Sequence, residues 1–283
     1  MTVPDQLRQS PLTVRDVRFR NSDPAPRPVG SGGVARAWFI ALSCSFPRGE
    51  AMFIEGVKQN RDGAPPALAA QIRDFVKQEV NHSREHLAFN RRAEAAGYDL
   101  DEIDAGVART VAETMAQPAV VILCVTVALE HFTAIFAKEF LTRPAAYVDG
   151  VIGGPDLWLW HSVEEIEHKG VAFDVWLHAT RNWSNWKRWR VSALVMLGVT
   201  VRFLYNRSVD ARRIQAQDGV TGWRAMAAQL HYLFVKPGIL RRIFPAWLDY
   251  FRPGFHPWDH DDRALLAQWE GRFGEQLPAE AAE

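Results

Sequence analysis

A glutamate set in the middle of an apolar helical run is the feature that most constrains this chain. From Pro118 to Phe136 the sequence reads PAVVILCVTVALEHFTAIF, and only Glu130 and His131 interrupt the apolar residues. A buried carboxylate without counter-charge or hydrogen-bond partner is costly. A solvated face fits Glu130 badly, so this helix must meet cations inside the fold. Three further helical stretches carry polar residues where apolar ones are expected. The earliest holds Glu50 in GEAMF. FVKQEVNHSREHLAFN gives Glu79-x-x-His82, and WLWHSVEEIEHKGVAFDVW gives Glu165-x-x-His168. The chain order is therefore Glu, ExxH, Glu, ExxH.

The spacing has a physical reason. Residues i and i+3 lie about 60° apart on a helix of ~3.6 residues per turn, so one helix presents both side chains to one ion. A lone Glu from each of two other helices completes the set that ferritin-like bundles use for two iron or manganese ions. Two divalent cations also balance four carboxylates, and oxygen and imidazole donors suit iron or manganese better than a thiolate metal. Glu50 is the least constrained of the four acids, with Glu55 nearby, though Glu55 precedes Lys58 and Gln59 and reads as solvated.

Both ExxH stripes extend. His86 lies one turn beyond His82 and His161 one turn before Glu165, either as ligands or as donors that orient carboxylates. Glu164, Asn90 and Asp174 are further candidates for that supporting layer. Glu167 falls on the far side of its helix and reads as solvated, and His131 reads as a packing or hydrogen-bonding residue. His178, His231, His256 and His260 match no ligand spacing. Phe75, Phe89, Val125, Leu129, Phe132, Phe136 and Val171 surround the ligands and are expected to keep water out and to line a substrate pocket.

Period-two alternation is almost absent, so the expected class is all-α: a ferritin-like four-helix bundle with additional C-terminal helices. Three parts are expected. Residues 1–33, with NSDPAPRPVG and GSGG, form an extended arm with a flexible joint at Gly30–Gly33; residues 34–182 form the di-metal bundle; residues 183–283 form a helical extension packed on it. Pro47 is expected to interrupt a helix begun at Ala35 and to open the next. Pro118 breaks or kinks a stretch from Asp101 to about Leu141. Gly153-Gly154-Pro155 opens a helix to about Ala179, and more helices follow near 184–206 and 219–235, in ILRRIFPAWLDYF and in DDRALLAQWEGRFG.

Lys plus Arg number 33 and Asp plus Glu number 33, which argues against a nucleic-acid partner. Cys44 and Cys124 have no CxxC neighbour, and no apolar leader follows the N-terminus; a reducing, cytoplasmic setting is expected. Val191–Val201 is too short to cross a bilayer, and the acid in 118–136 makes that run a core helix. RNWSNWKRWRVS mixes Trp with Lys and Arg as interfacial anchors do, but the preferred reading is a helix start with its Trp stems packing down rather than a membrane contact. Membrane desaturases are excluded, because their HxxHH cluster is missing.

GEAMF, QEVNHSREH, ALEHFTA and WHSVEEIEHKGVAFDVW resemble, in order, the bacterial family of predicted metal-dependent hydrolases, over residues 35 to 250. That family includes a nonheme di-iron diterpenoid hydroxylase. The resemblance implies a helical di-iron fold with Glu50, Glu79, His82, Glu130, Glu165 and His168 as ligands. The fourth helix is also similar to the p-aminobenzoate N-oxygenases in its HxxxExxH pattern, which implies His161 as an added ligand. That similarity is confined to the ligand pattern and does not carry arylamine chemistry with it.

The leading expectation is a nonheme di-iron, O2-dependent monooxygenase. It would hydroxylate an apolar terpenoid, steroid or fatty-acyl molecule, with two Fe ions or a Mn/Fe pair. The sequence contains no GxGxxG-type site and no four-cysteine cluster, so electrons would come from an external ferredoxin or reductase. A binuclear metal-dependent hydrolase is the alternative, and a non-catalytic iron-binding bundle the third reading. The long segment after the fourth helix suits a substrate-covering lid or a homodimer interface.

Overall fold

The computed structural model describes residues 12–19, 33–148, 151–152 and 154–274. The described regular structure is entirely helical: α1 (Gly33–Lys58), α2 (Pro66–Ala95), α3 (Asp101–Met115), α4 (Ala119–Thr142), α5 (Pro144–Tyr147), α6 (Asp156–His168), α7 (Val171–Ala179), α8 (Asn185–Gln217), α9 (Gly222–Leu230), α10 (Ile239–Asp249) and α11 (Arg263–Gly274). A π-helical turn, His231–Val235, continues α9, and a 3-10 turn spans Pro257–Asp259. The class is the all-α, ferritin-like bundle that the sequence predicts.

α1, α2, α4 and α6 carry the predicted ligands, and they pack as α1 on α2, α4 on α6, α1 on α4 and α2 on α6. α2 shows why. Its buried residues Ile72, Phe75, Glu79, His82, His86 and Phe89 recur every three or four positions, the period of one helix face. The ends of this stripe are apolar and its middle is polar, so packing the stripe inward carries the acids and imidazoles with it. Trp38, Trp158, Trp160 and Trp176 are buried, and Phe39 meets Trp158 edge-on at 4.5 Å. α4 is long and apolar enough to cross a membrane, but most of its apolar window is buried inside the fold.

Three helix boundaries differ from the sequence expectation. α1 runs unbroken through Pro47. A proline there removes the hydrogen bond to the carbonyl of Ser43, and Asn90 Nδ2 donates to that freed oxygen at 3.5 Å. The stretch around Pro118 is broken there into α3 and α4, as expected, whereas the helix expected from 155 to 179 divides at Lys169-Gly170. At Gly170 an added Cβ would lie 2.6 Å from Trp258 Nε1, so close packing of the C-terminal segment against this joint explains the glycine. α8 also extends eleven residues past its expected end, to Gln217.

Residues 12–19 lie across α2 and α6. Gln78 Nε2 donates to Thr13 O, Asn81 Nδ2 to Arg15 O and Arg84 Nη2 to Val17 O. The remainder of the expected arm and its joint, up to Gly32, lie outside the described residues. At the other end Lys169 Nζ donates to His260 O and Asp262 Oδ2, and Lys138 pairs with Asp262 at 2.7 Å, so the C-terminal segment is clamped to α4 and α6. α8 packs on α1 and α4, and α3 on α1.

The α1–α4 crossing is close. A Cβ on Gly56 would sit 2.7 Å from Thr126 Oγ1 and 3.3 Å from Ile122 Cγ2. Gly56→Ala is therefore expected to destabilise the protein by about 1–3 kcal/mol, read as a lowered urea midpoint at unchanged slope.

Candidate metal centre

The four bundle helices bring Glu50, Glu79, His82, Glu130, His161, Glu165 and His168 together in the interior. Each is at most 3% exposed. His168 Nε2 lies 3.3 Å from Glu79 Oε1, 3.5 Å from Glu130 Oε2 and 3.6 Å from Glu165 Oε1. His161 Nε2 lies 2.8 Å from Glu165 Oε1 and 3.9 Å from Glu50 Oε1, and His82 Nδ1 is 3.8 Å from Glu165 Oε1. The donor atoms fall into four overlapping groups: Glu79, Glu165 and His168; Glu50, Glu79 and His82; His82, His161 and Glu165; and Glu50, His86 and His161. Glu130 is in none of the four and adjoins them through His168. These groups could hold metal ions. Glu55 is exposed and Glu50 buried, which decides between them.

The fit to cations rests on atoms with no partner. Glu50 Oε1, both oxygens of Glu79 and of Glu130, Glu165 Oε2, His82 Nδ1 and His168 Nε2 are buried without a hydrogen bond. Native interiors rarely leave so many polar atoms unsatisfied in one place. Burial, reinforced by the neighbouring carboxylates, pushes Glu50, Glu79 and Glu130 well above the usual carboxyl range. Glu165 is held well below it, because His168 and His161 outweigh the effect of its burial. Burial also holds His82 and His86 well below the ordinary histidine value. Imidazole nitrogens set beside carboxylate oxygens form a donor set that two divalent cations would satisfy.

The supporting layer fixes each imidazole. His168 Nδ1 meets Gln78 Oε1 at 3.0 Å; the amide oxygen accepts, so Nε2 carries the inward lone pair. His82 Nε2 donates to Glu164 Oε2 at 3.1 Å, leaving Nδ1 inward. Glu164 also accepts from the backbone N–H of Arg15 at 3.0 Å, and burial pushes its carboxyl up to about 8 against the pull of Arg15. Ser83 Oγ donates to Glu50 Oε2 at 2.7 Å, which turns Oε1 toward the centre.

His161 is set by a chain of three partners. Ser43 Oγ gives its proton to Asn90 Oδ1 at 2.7 Å, so His86 Nδ1 must be the donor to Ser43 Oγ at 2.9 Å. His86 Nε2 is then bare and accepts from His161 Nδ1–H at 2.7 Å. The lone pair of His161 Nε2 is thereby aimed at Glu165 and Glu50. In this arrangement His86 and Asn90 orient His161, and His86 also offers a donor atom close to those of Glu50 and His161.

Several predicted residues are placed differently. Asp174 accepts from His256 Nε2 at 3.2 Å and is not among the clustered groups. Glu167 is not solvated: it pairs with Arg15 at 2.7 Å and accepts from Gln78 Nε2 at 3.1 Å. Its position looked solvated because the covering segment, residues 12–19, is distant in sequence. Gln78, Ser83, Ser43 and Arg15 were missed; a polar residue one position before Glu79 was the only available signal for Gln78. His131 does hydrogen-bond as expected, through Nε2 to Ala246 O at 3.1 Å.

A cavity of about 140 Å³ lies between α1, α3, α4 and α8, with His161 and Glu165 in its wall. Val125, Leu129, Phe132 and Phe136 line it as predicted. Phe75, Phe89 and Val171 do not: Phe75 packs on the His168 ring at 4.9 Å, Phe89 meets Trp158 edge-on at 5.8 Å, and Val171 is core. Leu42 and Phe46 of α1 line it too, as do Val107 and Val111 of α3 and Val199 and Phe203 of α8; α3 and α8 carry no predicted ligand and so offered no motif. Arg202, exposed and paired with Glu113, marks the outer end.

The donor set, its buried acids and this cavity coincide with a family match. A family model for predicted metal-dependent hydrolases matches residues 13–261. The chain belongs to that family. No curated protein and no solved structure gives a match. The matched region includes residues 13–19 of the N-terminal segment, which hydrogen-bond to Gln78 and Glu164. Glu164→Gln is expected to weaken metal binding by about 10–100-fold, measured by competition with a chelating dye. Unchanged affinity would remove Glu164 from the His82 support.

Proposed function

We propose that this member of the family is a nonheme di-iron oxygenase that uses O2 to hydroxylate an apolar small molecule of terpenoid, steroid or fatty-acyl type. The observation that carries the reading is the cavity: its inner wall includes His161 and Glu165, and Val125, Leu129, Phe132, Phe136 and Phe203 make its sides apolar. A pair of irons, or a Mn/Fe pair, held by Glu50, Glu79, His82, Glu130, His161, Glu165 and His168 would supply the O2 activation. The chain's residues do the rest. The aromatic and aliphatic sides exclude water and hold a C–H bond against the His161–Glu165 wall. Gln78, Glu164 and the His86–Ser43–Asn90 chain keep three imidazoles in one tautomer. Electrons would come from a ferredoxin or reductase. The buried free thiols of Cys44 and Cys124 suit a reducing, cytoplasmic setting.

The family's description favours a second reading, hydrolysis by a metal-held hydroxide. A hydrolase needs polar groups free to grip an ester or phosphate, whereas the two arginines of this cavity's wall are already engaged, Arg202 with Glu113 and Arg207 with Asp210. The test loads the protein anaerobically with Fe(II) and mixes it with O2 in a stopped-flow spectrometer. The oxygenase reading predicts a transient near-ultraviolet or visible band whose decay is accelerated by an apolar substrate. Full activity on ester substrates with zinc, and no absorbance response to O2 with iron, would establish the hydrolase.

A further inference from the structure

The chain as a whole is neutral, but its C-terminal part is not. Between Val175 and Leu248 there are twelve Lys and Arg residues and only two acids, Asp210 and Asp218. Asp210 is buried with Arg207 and Arg213, and Asp218 faces Arg36. The exposed charges of α8, α9, the π turn and most of α10 are therefore cationic: Lys187, Arg190, Arg202, Arg224, Lys236 and Arg241. Of the acids on the neighbouring α3, Glu113 pairs with Arg202, Glu102 with Arg213 and Asp104 with Arg48.

The same elements expose large apolar side chains. On α8, Trp186, Leu194, Leu197, Val201 and Tyr205 follow one helical stripe and are 46–72% exposed. Trp223, at 75%, leads Met226 and Leu230 along α9. Phe234 and Val235 of the π turn and Phe244 and Leu248 of α10 are about half exposed. These elements touch in sequence, α8 with α9, α9 with the π turn and the π turn with α10. α10 is also tied to α8, where Trp247 Nε1 donates to Thr200 Oγ1 at 3.0 Å. The Trp-rich helix start thus divides: Trp183 packs on Trp176 and Trp189 donates to Phe251 O, whereas Trp186 stays exposed.

We propose that the α8–α10 face docks on the surface of an anionic lipid bilayer. Exposed Trp and aliphatic side chains fit the acyl–headgroup boundary, and the Lys and Arg among them fit anionic headgroups. A second copy of this chain fits less well. A two-fold interface would set this face against itself, cation against cation, with no exposed acid on α8, α9 or the π turn to pair them. α8 is common to both features: Val199, Arg202, Phe203 and Asn206 line the cavity, while Leu197, Val201 and Tyr205 are exposed. Docking by this face sets the Arg202 end of the cavity at the bilayer. The docking itself does not depend on which reaction the centre catalyses.

Sedimentation with vesicles tests this, using phosphatidylcholine alone and phosphatidylcholine with phosphatidylglycerol in equal parts. The full-length protein is expected to bind the mixed vesicles roughly tenfold or more better than the neutral ones, and rising salt should weaken that binding. Trp186→Ser with Trp223→Ser, and separately Arg224→Glu with Lys236→Glu, should each lower it by roughly tenfold or more. All four positions are exposed, and unchanged circular dichroism would confirm that the variants are folded. Failure of the unmodified protein to bind mixed vesicles overturns the proposal. So does light scattering that shows a dimer which either pair of substitutions converts to monomer, since the face would then be a self-interface.

Discussion

Glu130→Leu is expected to act in opposite directions on the metal-free and metal-bound protein. In the metal-free state both Glu130 oxygens are buried without a partner, and burial holds the carboxyl well above its ordinary range. Leucine, of similar volume and with nothing to desolvate, should raise stability by about 1–3 kcal/mol. Metal at a thousandfold excess over its Kd adds about 4 kcal/mol to a protein that binds it only when folded, and losing a ligand should remove much of that gain. Urea titrations in a chelator and in excess Mn(II) would show the two curves crossing. A variant less stable without metal and unchanged with it would mean that Glu130 packs rather than binds.

The same acids set the pH response. A carboxyl whose folded pKa is raised stabilises the fold below its unfolded pKa, about 4.3 for Glu, and that contribution is lost as pH rises through the folded value. Glu50, Glu79 and Glu130 are of this kind. Below about 6.5 the depressed histidines His82 and His86 oppose them, since they must charge on unfolding. From about 6.5 upward only the acids act, so metal-free protein should lose stability as pH rises. Metal, which needs the deprotonated ligands, should tighten over the same range.

Val125→Trp should abolish binding in the cavity without touching the metal. Val125 lines the cavity on α4 and is only partly buried. The added indole has nowhere to go but a space of about 140 Å³. Access of an apolar molecule to His161 and Glu165 should fall about a hundredfold or more in kcat/KM, with iron content unchanged. Full turnover in a protein known to be folded would place the reaction outside this cavity.

Some of this was legible in the sequence and some was not, for identifiable reasons. Glu79, His82, Glu165 and His168 could be named because i, i+3 spacing puts each pair on one helix face, Glu130 because it interrupts an apolar run, and His161 as a ligand through a resemblance. Glu50 was preferred to Glu55 because of the lysine and glutamine that follow Glu55, and burial agrees. The partnerships of Glu164 and Glu167 with Arg15 and of Gln78 with Thr13 were invisible, because the partners are distant in sequence. Half of the cavity was missed for the same reason: α3 and α8 carry ordinary apolar residues and become a wall only once packed on α1 and α4. The exposed Trp186 was misjudged because a Trp near Lys and Arg reads alike as a packed stem and as an interfacial anchor.

The claim on which everything rests is that cations hold these acids together, and metal analysis tests it most directly. Protein reconstituted anaerobically with Fe(II) and then desalted should retain two irons per chain, and the Glu130→Leu protein clearly fewer. Retention of no metal by the unmodified protein, or of two ions per chain by the variant, would contradict the account.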